Sequence, residues 1–307
     1  MAGSSSVEQA AALIRAGRLV AFPTETVYGL GANALDARAV ARIYEVKGRP
    51  PESPVIVHVD SIAMTRELAR EWPPEAEVLA TRYWPGPLTL VLPKQPHVPD
   101  IVTAGLPTVG LRAPAHPLAL ELIRAAGVPI AAPSANRFTE VSPTTAEHVR
   151  RSLGDAVDCI LDGGPTEIGI ESTVLSLAGS PPLLLRPGMI SRAEIEALIG
   201  PIAAGALPEG AHPSPGLHPR HYSPRTPLIL GPPPEGRGAY VWWNRALPAA
   251  RAVQMPAVAA GYGARLYAVL HELDEESWDW IAVEPPPEYV SWAAIADRLR
   301  RAASSER

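Results

Sequence analysis

Cysteine is nearly absent from this chain: Cys159 stands alone among 307 residues. A single thiol excludes an internal disulfide and a cysteine zinc cluster, and its apolar neighbours read as the setting of a buried, inert thiol. Lysine is almost as scarce, with Lys47 and Lys94 set against 25 arginines. Aromatic residues make up only 6%, which leaves little stacking surface for single-stranded nucleic acid. The net charge of −5 provides no general basic field, so no stable direct nucleic-acid binding is expected and any anion site must be a local pocket. No run of about 18 apolar residues occurs, which excludes a membrane-crossing helix. Met1 to Ser6 is small and polar and lacks the order of a signal peptide, so a cytoplasmic location is expected. HExxH, paired CxxC, EF-hand, GxSxG, Walker and GxGxxG patterns are all missing. Without a metal-ligand cluster, any magnesium would come with a nucleotide and be held mainly by its phosphates.

What is present suffices for two cores: 47% hydrophobic and 19% charged residues in a chain of two-domain length. Ser5-x-x-Glu8 and Gly17 bracket a helix over about 7–16. Leu19 to Phe22 reads as a buried strand, and Asp36 caps a helix reaching Val46. Val55 to Val59 is a β-branched strand. Ser61 caps the next helix, Glu75 to Tyr83 forms another, and Leu88 to Leu92 and Val109 to Leu111 are strands. Pro117 to Ala126 is a helix and Pro129 to Ala132 a strand. Ser142-Pro143 supplies a cap and first-turn proline for a helix to about Leu153. Val157 to Leu161, Ser172 to Leu177 and Leu183 to Arg186 are strands, and Ser191-x-x-Glu194 opens a helix to Ile199. The pattern predicts an α/β or α+β domain with a twisted, mixed sheet over about 1–205.

Residues 201–236 then hold ten prolines, the texture of an extended, semi-rigid connection. Regular patterning resumes with strands at Leu228 to Leu230, Ala239 to Trp243 and Trp280 to Val283. Helices are expected near Ala260 to His271 and from Ser291 to about Ala303. The expected organisation is a larger domain over 1–205, a linker over 206–226 and a small α/β domain over 227–307.

Several segments carry groups suited to chemistry. Phe22-Pro-Thr-Glu-Thr-Val-Tyr-Gly-Leu-Gly31 places hydroxyls, a carboxylate and glycines after a strand, where α/β ligands sit, or forms an ordinary polar turn. Lys47-Gly-Arg49-Pro-Pro51 follows a helix C-terminus. Its cations suit the helix dipole, but a rigidly aimed ammonium and guanidinium also suit phosphate oxygens. His58 lies within a strand, as core histidines do. Arg112 ends a buried strand and needs a carboxylate partner, from a ligand or from a structural Asp or Glu. Ala132-Pro-Ser-Ala-Asn136 follows a strand and reads as a nucleotide contact or a turn. Ser142 opens a helix, as a cap or an anion site. Glu171-Ser-Thr173 precedes a strand and Arg186 ends one. In Ser214-Pro-Gly-Leu-His-Pro-Arg-His-Tyr-Ser-Pro224, histidines, arginine and tyrosine are unusual for a spacer and fit a segment that covers a pocket.

The ordered set of these segments, with Pro54-Val-Ile-Val-His58, Trp84-Pro-Gly-Pro-Leu-Thr-Leu90, Gly110-Leu-Arg112 and Arg186-Pro-Gly188, resembles the threonylcarbamoyl-AMP synthase family across about residues 6–225. The likeness is to its two-domain form, with a YrdC-like catalytic domain. The remainder resembles the family's small Rossmann-like C-terminal domain by position and pattern, though it is short. Two departures stand out: Phe138-Thr139 replaces the family's Ser-Gly after Asn136, and His218-Pro219 replaces Lys-Tyr in the linker.

The resemblance implies a nucleotidyltransferase that makes threonylcarbamoyl-AMP and pyrophosphate from L-threonine, bicarbonate or CO2, and ATP with Mg. A downstream tRNA threonylcarbamoyl transferase would use the product to modify the adenosine beside the anticodon. Carried over, Lys47 and Arg49 would hold the phosphates. Pro51, Thr108, Ser134, Asn136, Ser142, Arg186 and His221 would bind ATP, with Tyr222 closing over it beside His221. Thr24, His58, Arg112, Ala132 and Ser172 would hold threonine. The competing readings are a carbamoyl-adenylate-forming maturation enzyme, disfavoured by the lone cysteine, and a non-catalytic RNA-binding module, disfavoured by charge and composition.

Overall fold

The computed structural model describes residues 4–204 and 221–303. The greater part of the expected linker, 206–220, lies outside the described residues. Two sheets organise the rest. The first contains β1 (Val20–Phe22), β2 (Gly29–Asn33), β3 (Val57–His58), β4 (Leu88–Pro93), β5 (Thr108–Arg112), β6 (Ile130–Ala131), β7 (Cys159–Ile160), β8 (Thr173–Ser176), β9 (Leu183–Arg186) and β10 (Ala203–Ala204). Their order is β10-β9-β8-β4-β5-β3-β6-β2-β1-β7, with both parallel and antiparallel pairs. The second contains β11 (Leu228–Leu230), β12 (Gly238–Trp242), β13 (Arg251–Gln254) and β14 (Trp280–Val283), ordered β11-β14-β12-β13 and wholly parallel. The α/β class, the mixed first sheet and a separate small parallel sheet agree with the expectation.

Local signals explain most elements. Asp36 accepts from the backbone N–H groups of Arg38 and Ala39 to start helix Ala37–Lys47, and Gly48 ends it in the left-handed conformation (φ 61°). Ser191 and Glu194 form the expected capping box on helix Arg192–Ile199. Pro117–Ala126 and Leu183–Arg186 lie where the sequence puts them.

Three expectations are corrected. Ser142 does not cap a helix: the helix is Ala146–Leu153 and its cap is Thr145, whose side chain accepts from His148 N–H. Gly29–Asn33 is a strand rather than a continuing turn. Its glycines are needed by packing, since a Cβ on Gly31 would lie 2.7 Å from the Phe22 ring and 2.8 Å from Ile130 Cγ2. Cys159 is half-buried rather than enclosed, with burial and Asp158 pushing its thiol pKa up.

The two sheets share packing. Val27, Val141 and Ile170 join Tyr262, Leu266 and Tyr267 of helix Ala259–Asp274 in one apolar core. The loop at Gly169 meets the same helix so closely that a Cβ there would lie 2.5 Å from Gly263 O. The two units are therefore fixed against each other by a dry contact.

Candidate active site

A cleft opens where ends of strands from the first sheet converge. Thr24 and Thr26 enter from the turn after β1, and His58 and Arg112 from the ends of β3 and β5. Those two strands run parallel with His58 opposite Arg112. Ala132 and Ser134 follow β6, Ser172 precedes β8 and Arg186 ends β9. The antiparallel pairing of β8 with β9 sets Val174 opposite Arg186, which brings Ser172 beside that arginine. Arg49 and His221 complete the expected residues in the lining, and Glu171 and Tyr222 also face it.

The remaining expected residues lie elsewhere. Lys47 is buried beside the cleft, and its Nζ donates to Ser134 O at 2.6 Å and to Asn136 O. Asn136 is buried and donates to Arg137 O and Glu140 O, shaping the same loop. Ser142 Oγ donates to Glu171 Oε1 at 2.6 Å. Thr108 lines a separate small cavity with Pro54 and Thr103, and Pro51 is exposed in a turn.

Hydrogen bonds pre-set the lining. Thr24 Oγ1 accepts from Thr26 N–H and Val27 N–H at 3.2 Å and donates to Val27 O at 2.7 Å, which fixes the polar turn. Arg112 is clamped: Nη2 reaches Glu25 Oε1 at 2.6 Å, Nη1 reaches Thr26 Oγ1 at 3.0 Å and Nε reaches Gly86 O at 3.2 Å. The structural carboxylate is thus present, and it comes from Glu25. Arg186 donates from Nε to Ser172 O and from Nη2 to Ser172 Oγ, both at 3.1 Å. The Ser172 hydroxyl also lies 2.8 Å from Thr89 Oγ1 of the Trp84–Leu90 segment. Arg49 donates to Ser53 O and Pro54 O, with its guanidinium 5.9 Å from the Phe138 ring centre. Phe138, one of the departures from the family pattern, also meets the His221 ring edge-on at 6.0 Å.

The electrostatics are those of a buried, cationic pocket. Burial lowers the Arg49 pKa to about 10, with nearby Tyr44 and Tyr222 opposing the shift and Arg186 adding to it. Lys47 is held well below the usual lysine range by burial first and by Arg49 second. Burial, then Arg112, pulls His58 down to about 3. His221 is held well below the ordinary histidine value by burial and by Arg49, Lys47 and Arg186. Cations crowded in low dielectric each disfavour the charge of the next. Such an arrangement is poised for an anion to relieve it. Among the described residues, no group of three or more His, Cys, Asp or Glu could hold a metal ion.

Sequence reasoning missed Glu25, Thr26, Thr89 and Arg298 as site-building residues. A carboxylate between two threonines, directly after a strand-ending proline, was the one available signal for Glu25. Arg298 sits in a helical stretch of ordinary charge pattern and offered none.

A mixed-sheet α/β domain with a buried cationic cleft at its strand ends, lined on one side by His221 and Tyr222, defines a protein built to hold small anionic substrates. Comparison with known proteins places it among such proteins. Residues 12–188 match the Sua5/YciO/YrdC family model, described as telomere recombination, and residues 190–304 match the threonylcarbamoyl-AMP synthase C-terminal domain. The chain is 44% identical to the threonylcarbamoyl-AMP synthase of Pyrococcus abyssi over 95% of its length and 92% of the relative's. It is 46% identical to that of Bacillus subtilis over 97% and 92%. The crystal structure of P. abyssi Sua5 complexed with L-threonine superposes with a TM-score of 0.93 at 42% identity, covering 99% of this chain and 95% of that one. The chain belongs to the threonylcarbamoyl-AMP synthase family.

Proposed function

We propose that this protein forms threonylcarbamoyl-AMP and pyrophosphate from L-threonine, bicarbonate or CO2, and ATP. The observation that carries the reading is the convergence of Arg49, Arg112, Arg186, Ser134 and Ser172 on one buried cleft in a chain of this family. Threonine's neutral amine takes up CO2 to give a carbamate. A carbamate oxygen forms a bond to the α-phosphorus, the bond to the bridging oxygen breaks, and pyrophosphate leaves. Carbamate and triphosphate repel each other, so neutralisation and alignment are the main work of the site. A cleft that excludes water on closing would also limit loss of CO2 from the carbamate.

Arg49 and Lys47 bind the phosphates, with Lys47 also fixing the Ser134–Asn136 loop. Ser134, Arg186 and His221 hold the nucleotide. Pro51, Thr108, Asn136 and Ser142, which lie outside the cleft lining, are assigned to ATP with them. Thr24, His58, Arg112, Ala132 and Ser172 hold threonine, its carboxylate sharing Arg112 with Glu25. Any magnesium would come with ATP, held by its phosphates, and would supply charge neutralisation there. The catalytic domain is 1–205 and 227–307 forms the small domain; from the linker 206–226, His221 and Tyr222 line the cleft. The product passes to a tRNA threonylcarbamoyl transferase in the cytoplasm.

The test is ATP–pyrophosphate exchange. Exchange that requires both L-threonine and bicarbonate supports the reading, whereas exchange with threonine alone would point to ordinary aminoacyl adenylation and reject it.

A further inference from the structure

Helix Ala293–Ala302 belongs with the second sheet, yet its Arg298 is the largest wholly buried side chain among the described residues. A buried guanidinium is tolerated only when its donors are met. Here Nε donates to Glu171 Oε2 at 2.8 Å, while Nη1 donates to Asp297 Oδ2 at 2.8 Å and to Pro187 O at 2.9 Å. Nη2 lies 3.5 Å from Glu171 O, and the guanidinium sits 5.3 Å from the Tyr222 ring centre.

One of these partners, Glu171, itself faces the cleft, and Pro187 adjoins the lining in the chain. Glu171 precedes Ser172 and Pro187 follows Arg186, and Ser172 and Arg186 are hydrogen-bonded to each other. Arg298 therefore grips the chain on the outer side of both members of that pair. Its own helix also anchors the segment that brings in His221 and Tyr222. Arg301 O accepts from His221 N–H at 3.4 Å, and Ala302 O accepts from Ser223 Oγ at 3.3 Å. Glu171 is fixed a second time, by Tyr267 OH at 3.1 Å from helix Ala259–Asp274. Burial alone would raise the Glu171 carboxyl, but Arg298, Arg186 and Ser142 outweigh it and hold it below the usual range. An ion pair serving stability alone would need Asp297 and Glu171. The added bond to Pro187 O and the contact with Tyr222 tie three parts of the lining to one guanidinium.

We propose that Arg298 is a positioning residue for the nucleotide side of the cleft: through Pro187 and the Glu171–Ser172 chain it sets Arg186, and with it the His221–Tyr222 segment, at a fixed spacing, so that the C-terminal unit builds the site without touching substrate. The proposal rests on the adenylate-forming reading above. Arg298→Met keeps length and bulk and removes every donor. In exchange assays, KM for ATP should rise by about tenfold or more while kcat changes by less than about threefold. Arg298→Lys keeps the charge against Glu171 but lacks the fork, and should recover part of the ATP KM. A merely structural role would lower the folded fraction, giving reduced kcat at unchanged KM. That result, or parental kinetics in both variants, overturns the proposal. If Arg298→Met fails to fold, an unchanged ATP KM in Arg298→Lys overturns it equally. Should the parent chain show no exchange, the reaction is wrong. The Arg298 claim then stands or falls on ATP binding by calorimetry, where the same loss of about tenfold is expected.

Discussion

Glu25 Oε1 lies 2.6 Å from Arg112 Nη2, and the two side chains are only 6% and 4% exposed. The arginine assigned to the threonine carboxylate is thus already paired in the resting fold. Two roles, structural and ligand-binding, meet in one guanidinium, and they can be separated. Arg112→Ala should lose about 3–5 kcal/mol of stability, because it strands a buried carboxylate, and should also weaken threonine binding at least about tenfold. Adding Glu25→Ala removes the stranded charge and should restore much of the stability, measured by urea denaturation. Threonine affinity by calorimetry should stay weak in the double variant. Recovery of affinity there would mean that Arg112 acts only through Glu25.

Lys47 couples charge to loop shape, since its Nζ spans Ser134 O and Asn136 O while its own carbonyl accepts from Phe138 N–H at 2.8 Å. Lys47→Ala should cut kcat/KM by about 100-fold or more, through both lost phosphate neutralisation and a loosened loop. Lys47→Arg should not rescue it, because a planar fork does not fit a buried pocket shaped to a point donor. Steady-state exchange kinetics on folded variants decide this, and rates near the parent's in Lys47→Ala would remove Lys47 from the site.

His58 supplies a pH signature. Burial and Arg112 hold its folded pKa at about 3, against an ordinary 6.5. Between those values the unfolded chain binds a proton that the folded chain does not, so stability falls as pH falls, by about 1.4 kcal/mol per pH unit. From pH 7 to pH 5 the His58 share is roughly 2 kcal/mol. His58→Leu should flatten the pH dependence of urea unfolding by that amount. An identical slope in the variant would mean that the imidazole is protonated or solvated in the fold.

How far the sequence reached depends on the range of the interaction that decides each feature. Caps, glycine stops and apolar periodicity are local, so helix Pro117–Ala126, the Ser191–Glu194 box and strands Leu183–Arg186 and Trp280–Val283 were legible from neighbouring residues. Strand Gly29–Asn33 was not, because its glycines answer to the Phe22 ring rather than to strand preference. Strand β13 alternates half-buried and exposed positions at the edge of the second sheet and has no apolar run to announce it. Most of the cleft lining could be named from motif order. The partners that fix it could not: Glu25 meets Arg112 across 87 positions, and Glu171 meets Arg298 across 127. Nothing in the local pattern around Ser142 distinguishes a helix cap from a donor to Glu171, 29 positions away.

Gly169 tests the seam between the units. Its φ is +75°, and a Cβ there would lie 2.5 Å from Gly263 O and 2.7 Å from Ala264 Cα, both backbone atoms of helix Ala259–Asp274. Neither can move without shifting the helix. Gly127 has a similar φ of +67° at the end of helix Pro117–Ala126, but nothing lies within 4 Å of the position of its Cβ. Gly127→Ala should therefore cost only the backbone strain, about 1 kcal/mol. Gly169→Ala should cost that and a steric penalty of about 1–3 kcal/mol besides. Because Ile168 N–H donates to Glu25 O at 2.8 Å and Glu171 lies two residues beyond Gly169, the displacement should also raise the ATP KM, whereas Gly127→Ala should leave it unchanged. Urea unfolding and exchange kinetics on both variants separate the cases. Equal losses of stability would mean that the two units do not meet as closely as the Gly169 contact requires.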